Sequence, residues 1–211
     1  MLAGGSWREE CAVDVLVVRH AIALDKDEAN ELGVPDAERP LTKEGRRRMK
    51  RVARGLARSV PNLSALFSSP WRRAVETADL LRARFKGQGL TTSGNVAPGS
   101  VALSNVETDA LLPDAEPEAL AECLAGSPAS ASVAVVGHEP HLSGWVSWCL
   151  TDVRRPAIQQ RALSEERPIV QLRSILQLRK GGACLLRFED TVGPSRGKLL
   201  WLMTPAVLRQ L

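Results

Sequence analysis

Val13-Asp14-Val15-Leu16-Val17-Val18 runs straight into Arg19-His20. A short valine-rich run bounded by polar residues is the pattern of a strand buried on both faces, as in a parallel sheet. In open α/β sheets ligands bind outside the carboxyl ends of the strands, so an Arg-His pair leaving this strand stands at a ligand edge. A guanidinium grips a phosphate through paired hydrogen bonds, and a neutral imidazole can attack one. The stretch therefore points to an α/β sheet protein and to phosphoryl transfer through a histidine.

The same alternation continues downstream. A polar loop is expected over 24–40, then a helix capped by Thr42 and running to 59, with Met49, Val52, Ala53 and Leu56 on its apolar face. A second strand is expected at 65–68, and a helix from Ser69-Pro70, serine as cap and proline in the first turn, to 85. Residues 87–100, rich in Gly, Ser and Thr, read as a mobile surface loop, and 101–106 as a third strand. A turn at 113–117, a helix at 118–124, a fourth strand at 131–136 ending in Gly137-His138 and a helix at 141–150 follow. Residues 151–174 are polar without a clear period, and two strands at 183–189 and 198–203, joined only by a loop, are expected to pair antiparallel. The whole reads as an α/β three-layer sandwich, a mostly parallel central sheet with helices on both faces, forming one domain over 12–211 behind a flexible tail of residues 1–11.

Strand-to-helix junctions of a parallel sheet share one edge, which brings four segments together. Arg19-His20 follows the first strand, Arg73 lies one turn into the helix after the second, and His138 follows the fourth. The turn holding Glu107, Asp109 and Asp114 follows the third. His20 would attack phosphorus through one ring nitrogen while a backbone carbonyl orients the other. Arg19, Arg73 and His138 would offset charge on the phosphoryl oxygens, so no metal or other cofactor is called for. Spacing from Ser69-Pro70 favours Arg73 over its neighbour Arg72, and the strand end favours His138 over His141. No GxxxxGK[ST] loop is present, which argues against ATP as substrate.

The 211 residues are 44% hydrophobic and 25% charged, the balance of a soluble globular protein. No apolar run reaches the roughly 18 residues of a membrane span, and Arg8, Glu9 and Glu10 stand where a leader would be apolar. A cytoplasmic monomer without membrane contact is expected. The net charge is +4, but aromatics are 4% and tyrosine is absent, which disfavours a base-stacking nucleic-acid surface and favours an anion site on a solvated exterior. Cys123, Cys149 and Cys184 lie in apolar surroundings and read as small core residues, with no CxxC pair among the four cysteines. Trp145, Trp148 and Trp201 read as core, Arg46 to Arg48 as a solvated helical face, and Lys180-Gly181-Gly182 as a turn whose lysine could reach an acidic partner.

Arg19-His20, Arg39-Pro40-Leu41-Thr42-Lys43-Glu44-Gly45, Ser68-Ser69-Pro70-Trp71-Arg72-Arg73-Ala74-Val75-Glu76-Thr77 and Val135-Val136-Gly137-His138-Glu139-Pro140 occur in the order and spacing of the histidine phosphatase superfamily, which the chain resembles over about 13–150. With no large inserted cap it looks most like the SixA-type phosphohistidine phosphatases, of phosphoglycerate mutase-like fold. The resemblance implies that His20 is the histidine that becomes phosphorylated, that Arg19 and Arg73 bind the phosphate, and that His138 is the second histidine of the pocket. It implies a phosphohistidine-bearing protein, such as a phosphorelay domain, as substrate and phosphate as product. The usual Arg-His-Gly is here Arg19-His20-Ala21. The superfamily's glutamate acid has its matching slot near Ala110, with Glu107, Asp109 and Asp114 as neighbouring acids. Rival expectations are a small-molecule phosphomonoesterase and a phosphate- or phosphoprotein-binding module without turnover.

Overall fold

The computed structural model describes residues 12–60, 63–85, 105–127, 131–151 and 174–211. The expected tail, the 87–100 loop, residues 101–104 of the third expected strand and nearly all of the 151–174 segment lie outside the described residues. Strand β1 is Val13–Arg19. It is followed by helices α1 (Lys26–Glu31) and α2 (Lys43–Ser59), strand β2 (Ala65–Ser68), helix α3 (Arg72–Phe85) and strand β3 (Asn105–Glu107). Helix α4 (Pro117–Ala125), strand β4 (Ser132–Gly137), helix α5 (His141–Thr151), strands β5 (Ala183–Phe188) and β6 (Gly197–Met203) and helix α6 (Pro205–Leu208) complete the order.

The sheet runs β3-β2-β4-β1-β5-β6. β3, β2, β4 and β1 are parallel, while β5 and β6 are antiparallel additions at one side. β1 is central, and its side chains divide between the faces as the strand period requires. Leu16 and Val18 enter a core with Met49 and Leu56 of α2 and Leu81 of α3. Val15 and Val17 enter a second core with Leu120 of α4 and Trp145 of α5. All four β1 residues are fully buried, each contributing about 1.5–3 kcal/mol. Helices on both sheet faces make the three layers, as expected. At the other end of β1, Arg187 donates two hydrogen bonds to the Asp14 carboxylate (2.8 and 2.9 Å), fixing the β1–β5 register.

Four expectations are corrected. The 24–40 stretch is not plain loop: Asp25 caps α1, a short 3-10 turn spans Asp36–Glu38, and Ala29 is the one buried residue of α1, too few to create a period. Helix α3 starts at Arg72 rather than at Ser69-Pro70: its first backbone hydrogen bonds run from Ala74 and Val75 N–H to the Trp71 carbonyl, and the Ser69 hydroxyl meets His138. Cys123 is exposed, since α4 buries Pro117, Leu120, Ala121 and Leu124 at helical spacing and residue 123 falls off that face. Helix α6 was not expected, yet its Leu208 closes the first core. Cys149, Cys184, Trp145 and Trp148 lie in the second core, and Trp201 packs partly buried against the first. No helix among the described residues is long and apolar enough to cross a membrane.

Candidate active site

The parallel strands β2, β4 and β1 end level with one another. Arg19 is in register with Gly137, and Ser68 with Val136, so Ser69, His138 and His20 emerge side by side. Hydrogen bonds continue past the strands, from His20 N–H to the Gly137 carbonyl (3.0 Å) and from Ser69 N–H to that of Val136 (3.0 Å). Gly181, at φ +76°, gives its N–H to the carbonyls of both Arg19 and His20 at 3.1 Å. That left-handed conformation favours glycine and braces the exit of β1.

The chain's three histidines gather here, all buried: His20 is 6% exposed, His138 2% and His141 4%. His20 Nδ1 donates to the Ala21 carbonyl at 2.7 Å, the backbone orientation the sequence suggested. The ring proton is thereby held on Nδ1 and the Nε2 lone pair is bare. Burial foremost, then the Arg73, Arg19 and Lys180 cations, push the His20 pKa down to about 3, so the ring is neutral and nucleophilic near pH 7. The His20 and His138 ring centroids lie 5.1 Å apart.

His138 Nε2 meets Ser69 Oγ at 2.9 Å. Ser69 Oγ also accepts the Trp71 N–H (3.3 Å); when it gives its own proton to His138 Nε2, the imidazole proton stands on Nδ1. Burial, followed by the His20 and Arg73 charges, lowers the His138 pKa to about 2. Trp71 lies against His138 with centroids 4.8 Å apart, and Arg73 Cζ stands 4.4 Å over the Trp71 ring, a cation–π contact. His20, His138, Trp71 and Arg73 thus form a continuous series of contacts.

The two arginines are held from behind. Arg19 Nη1 donates to the Leu178 carbonyl (2.7 Å). Arg73 Nη1 donates to the Asp36 carbonyl (2.5 Å) and Nη2 to its carboxylate (3.3 Å), while Arg39 Nε holds the other Asp36 oxygen at 2.6 Å. Burial lowers both arginine pKa values, offset by Glu139 for Arg19 and by Asp36 for Arg73, but a guanidinium remains charged. Arg19 Nε, Arg73 Nε and His138 Nδ1 are buried and have no hydrogen-bond partner among the described residues. Leaving such groups unpaired costs about 1–3 kcal/mol each, more where charged. An oxyanion with several acceptor oxygens is the ligand that would satisfy them together.

The structure brings Arg19, His20, Arg73 and His138 to one edge. Of the acids that follow β3, Glu107, Asp109 and Asp114 are all exposed, while Ala110 and Leu111 are the buried residues of the 3-10 turn. Burial lowers the His141 pKa to about 4, with the Asp114 charge opposing the shift. Sequence reasoning passed over Ser69, Trp71 and Asp36. Trp71 was readable, since it lies between a strand end and Arg73; Asp36 sits 37 residues from its partner and left no local signal. Thr77 was also unassigned: its hydroxyl donates to the Arg73 carbonyl (2.7 Å) and accepts the Ala21 N–H (3.0 Å), tying α3 to the residue after His20. Among the described residues no group of three or more His, Cys, Asp or Glu could hold a metal ion.

A family model for the histidine phosphatase superfamily (branch 1) matches residues 15–94. An uncharacterized protein of Picosynechococcus sp. is 30% identical over 139 residues, 63% of this chain and 70% of that protein. Among solved structures, the protein histidine phosphatase SixA complexed with tungstate is similar at TM-score 0.63 and 18% identity, over 92% of this chain and 99% of that one. Phosphoglycerate mutase of Bacillus anthracis is similar at TM-score 0.57 and 13% identity, covering 95% and 97%. The mycobacterial glucosyl-3-phosphoglycerate phosphatase is similar at TM-score 0.55 and 15% identity, covering 90% and 97%. These structural likenesses are likenesses of fold, that of the phosphoglycerate mutase-like proteins.

Proposed function

The chain belongs to the histidine phosphatase superfamily, and on that footing we propose that it removes the phosphoryl group from phosphohistidine on a protein, by way of a covalent intermediate on His20. One observation carries the reading: a neutral His20 whose Nδ1–H is tied to Ala21 O, standing beside Arg19, Arg73 and His138 with buried, unpartnered nitrogens.

His20 Nε2 attacks phosphorus in line, and the bond from phosphorus to the leaving nitrogen breaks, its electron pair staying on that nitrogen. Arg19, Arg73 and His138 Nδ1 hold the phosphoryl oxygens as charge shifts among them, work that is positioning and electrostatics. Water then attacks the phosphoryl group on His20, the Nε2–P bond breaks, and phosphate leaves with neutral His20 restored. The exposure of Glu107 and Asp109 bears on the substrate. An alkoxide leaving group needs a proton from the enzyme, whereas phosphohistidine can carry a proton on its distal ring nitrogen and leave as neutral imidazole. With Glu107 and Asp109 in solvent, Asp36 engaged by Arg73 and Arg39 and Glu139 by Ser143 and Leu178, the arrangement supports the second over a phosphomonoester.

The test is phosphate release from a phosphohistidine-bearing protein domain and from an aryl phosphate, wild type beside His20→Ala, with chelator present. Release by wild type alone is the expected result. Equal release by His20→Ala would overturn the nucleophile assignment. Aryl phosphate turnover without phosphohistidine turnover would move the activity to small molecules, and binding of phosphate without any turnover would make the chain a binding module.

A further inference from the structure

Ala21, whose carbonyl holds His20, also lines a second pocket of about 50 Å³. The topology explains why it lies on the same rim as His20. The start of α2, the turn before antiparallel β5 and the residues after β6 all come to the carboxyl edge of the parallel strands. Ile22, Met49, Val52 and Pro205 supply apolar lining, and three cations line it as well, Arg48, Lys180 and Arg209. Among the described residues no carboxylate lines it. Arg48 is held by Glu44 at 2.5 Å, but Lys180 and Arg209 have no ion pair among the described residues. The Lys180 cation is also felt at His20.

The pocket opens beside a strongly basic helix. α2, of sequence KEGRRRMKRVARGLARS, carries eight Lys and Arg against the single Glu44, which pairs with Arg47 and Arg48, and Lys50, Arg51 and Arg54 are exposed along it. Such a single-sign surface raises the local concentration of an oppositely charged partner and speeds its encounter.

Building on the phosphohistidine reading, we propose that this pocket and the basic face of α2 dock an acidic segment of the phosphorylated protein. An aspartate or glutamate near the phosphohistidine enters between Lys180 and Arg209, and a small apolar neighbour rests on Ile22 and Pro205. The site thereby selects phosphoproteins whose phosphohistidine is flanked by acidic residues.

The experiment uses two chemically phosphorylated histidine peptides, one flanked by Glu-Ala and one by Lys-Ala, with an aryl phosphate, which has no flanking residues, as reference. Wild type is expected to favour the acidic peptide in kcat/KM by about tenfold at low salt, the preference shrinking in high salt. Arg209→Glu and Arg51→Glu, neither of them among the charges that act on His20, are expected to lower that preference while kcat on saturating aryl phosphate is unchanged; Arg209→Gln serves if the reversal disturbs folding. Cleavage of both peptides without charge preference, or a preference untouched by these variants, overturns the docking site alone. Aryl phosphate turnover with neither peptide cleaved overturns the substrate reading and the docking site together.

Discussion

Arg73→Lys keeps the charge and removes the geometry. In the native site both terminal nitrogens of Arg73 are committed to Asp36, at 2.5 Å to its carbonyl and 3.3 Å to its carboxylate. The guanidinium plane covers Trp71 at 4.4 Å, and Nε is the unpartnered donor left for a phosphoryl oxygen. A lysine offers one nitrogen at one point. If the ammonium stays on Asp36, the phosphoryl group loses a donor. Removing one such donor from a developing oxyanion costs about 2.7–4 kcal/mol, or 10²–10³ in kcat. If it turns to the phosphoryl group, the Asp36 carbonyl loses its partner, at about 1–3 kcal/mol of stability. Both routes are measurable: kcat on an aryl phosphate, whose good leaving group isolates phosphoryl binding from acid catalysis, and the urea unfolding midpoint of the same preparation. The expected result is a kcat at least 10²-fold below wild type, or a smaller kcat loss accompanied by a lower midpoint. A variant within about tenfold of wild-type kcat and equally stable would refute the view that Arg73 holds phosphate through a fork anchored on Asp36.

Three further outcomes follow from the same geometry. His20, His138 and His141 have pKa values held down at about 3, 2 and 4, so the unfolded chain takes up protons below its ordinary histidine value that the folded chain refuses. Stability therefore falls as pH drops from about 6.5 to 4, by up to about 1.4 kcal/mol per pH unit for each histidine, and a urea midpoint unchanged between pH 7 and 4.5 would contradict this. Gly45→Ala would put a Cβ 2.0 Å from the Ile22 carbonyl oxygen, which itself accepts the Thr42 N–H at 3.0 Å; the first turn of α2 must shift against the chain leaving His20, costing about 1–3 kcal/mol, and an unaltered melting temperature would count against that contact. Ser69→Ala removes the partner of His138 Nε2 and with it the control of which nitrogen carries the proton; kcat is expected to fall about tenfold, for about 1.4 kcal/mol, with little change in unfolding midpoint, and full activity would show that His138 needs no such orientation.

The amino-acid sequence by itself determined the sheet centre and the nucleophile candidate, because both depend on neighbours along the chain. Val15, Leu16, Val17 and Val18 alternate between two cores, and an uninterrupted apolar run is what that demands. The His20 to Ala21 hydrogen bond joins adjacent residues, and the Thr42 cap reaches three residues to Gly45 N–H; both are local geometry. Tertiary structure alone decided what holds the site in place. Asp36 reaches Arg73 across 37 residues, His138 reaches Ser69 across 69, and Leu178 reaches Arg19 across 159. Contacts at such separations leave no period or spacing to read, since they exist only once the strand ends have been set level. The acids make the same point in reverse. Glu107 and Asp109 lie beside Ala110 in sequence, yet the 3-10 turn after β3 buries Ala110 and leaves both carboxylates in solvent, where they keep their full hydration instead of losing it beside a phosphoryl group.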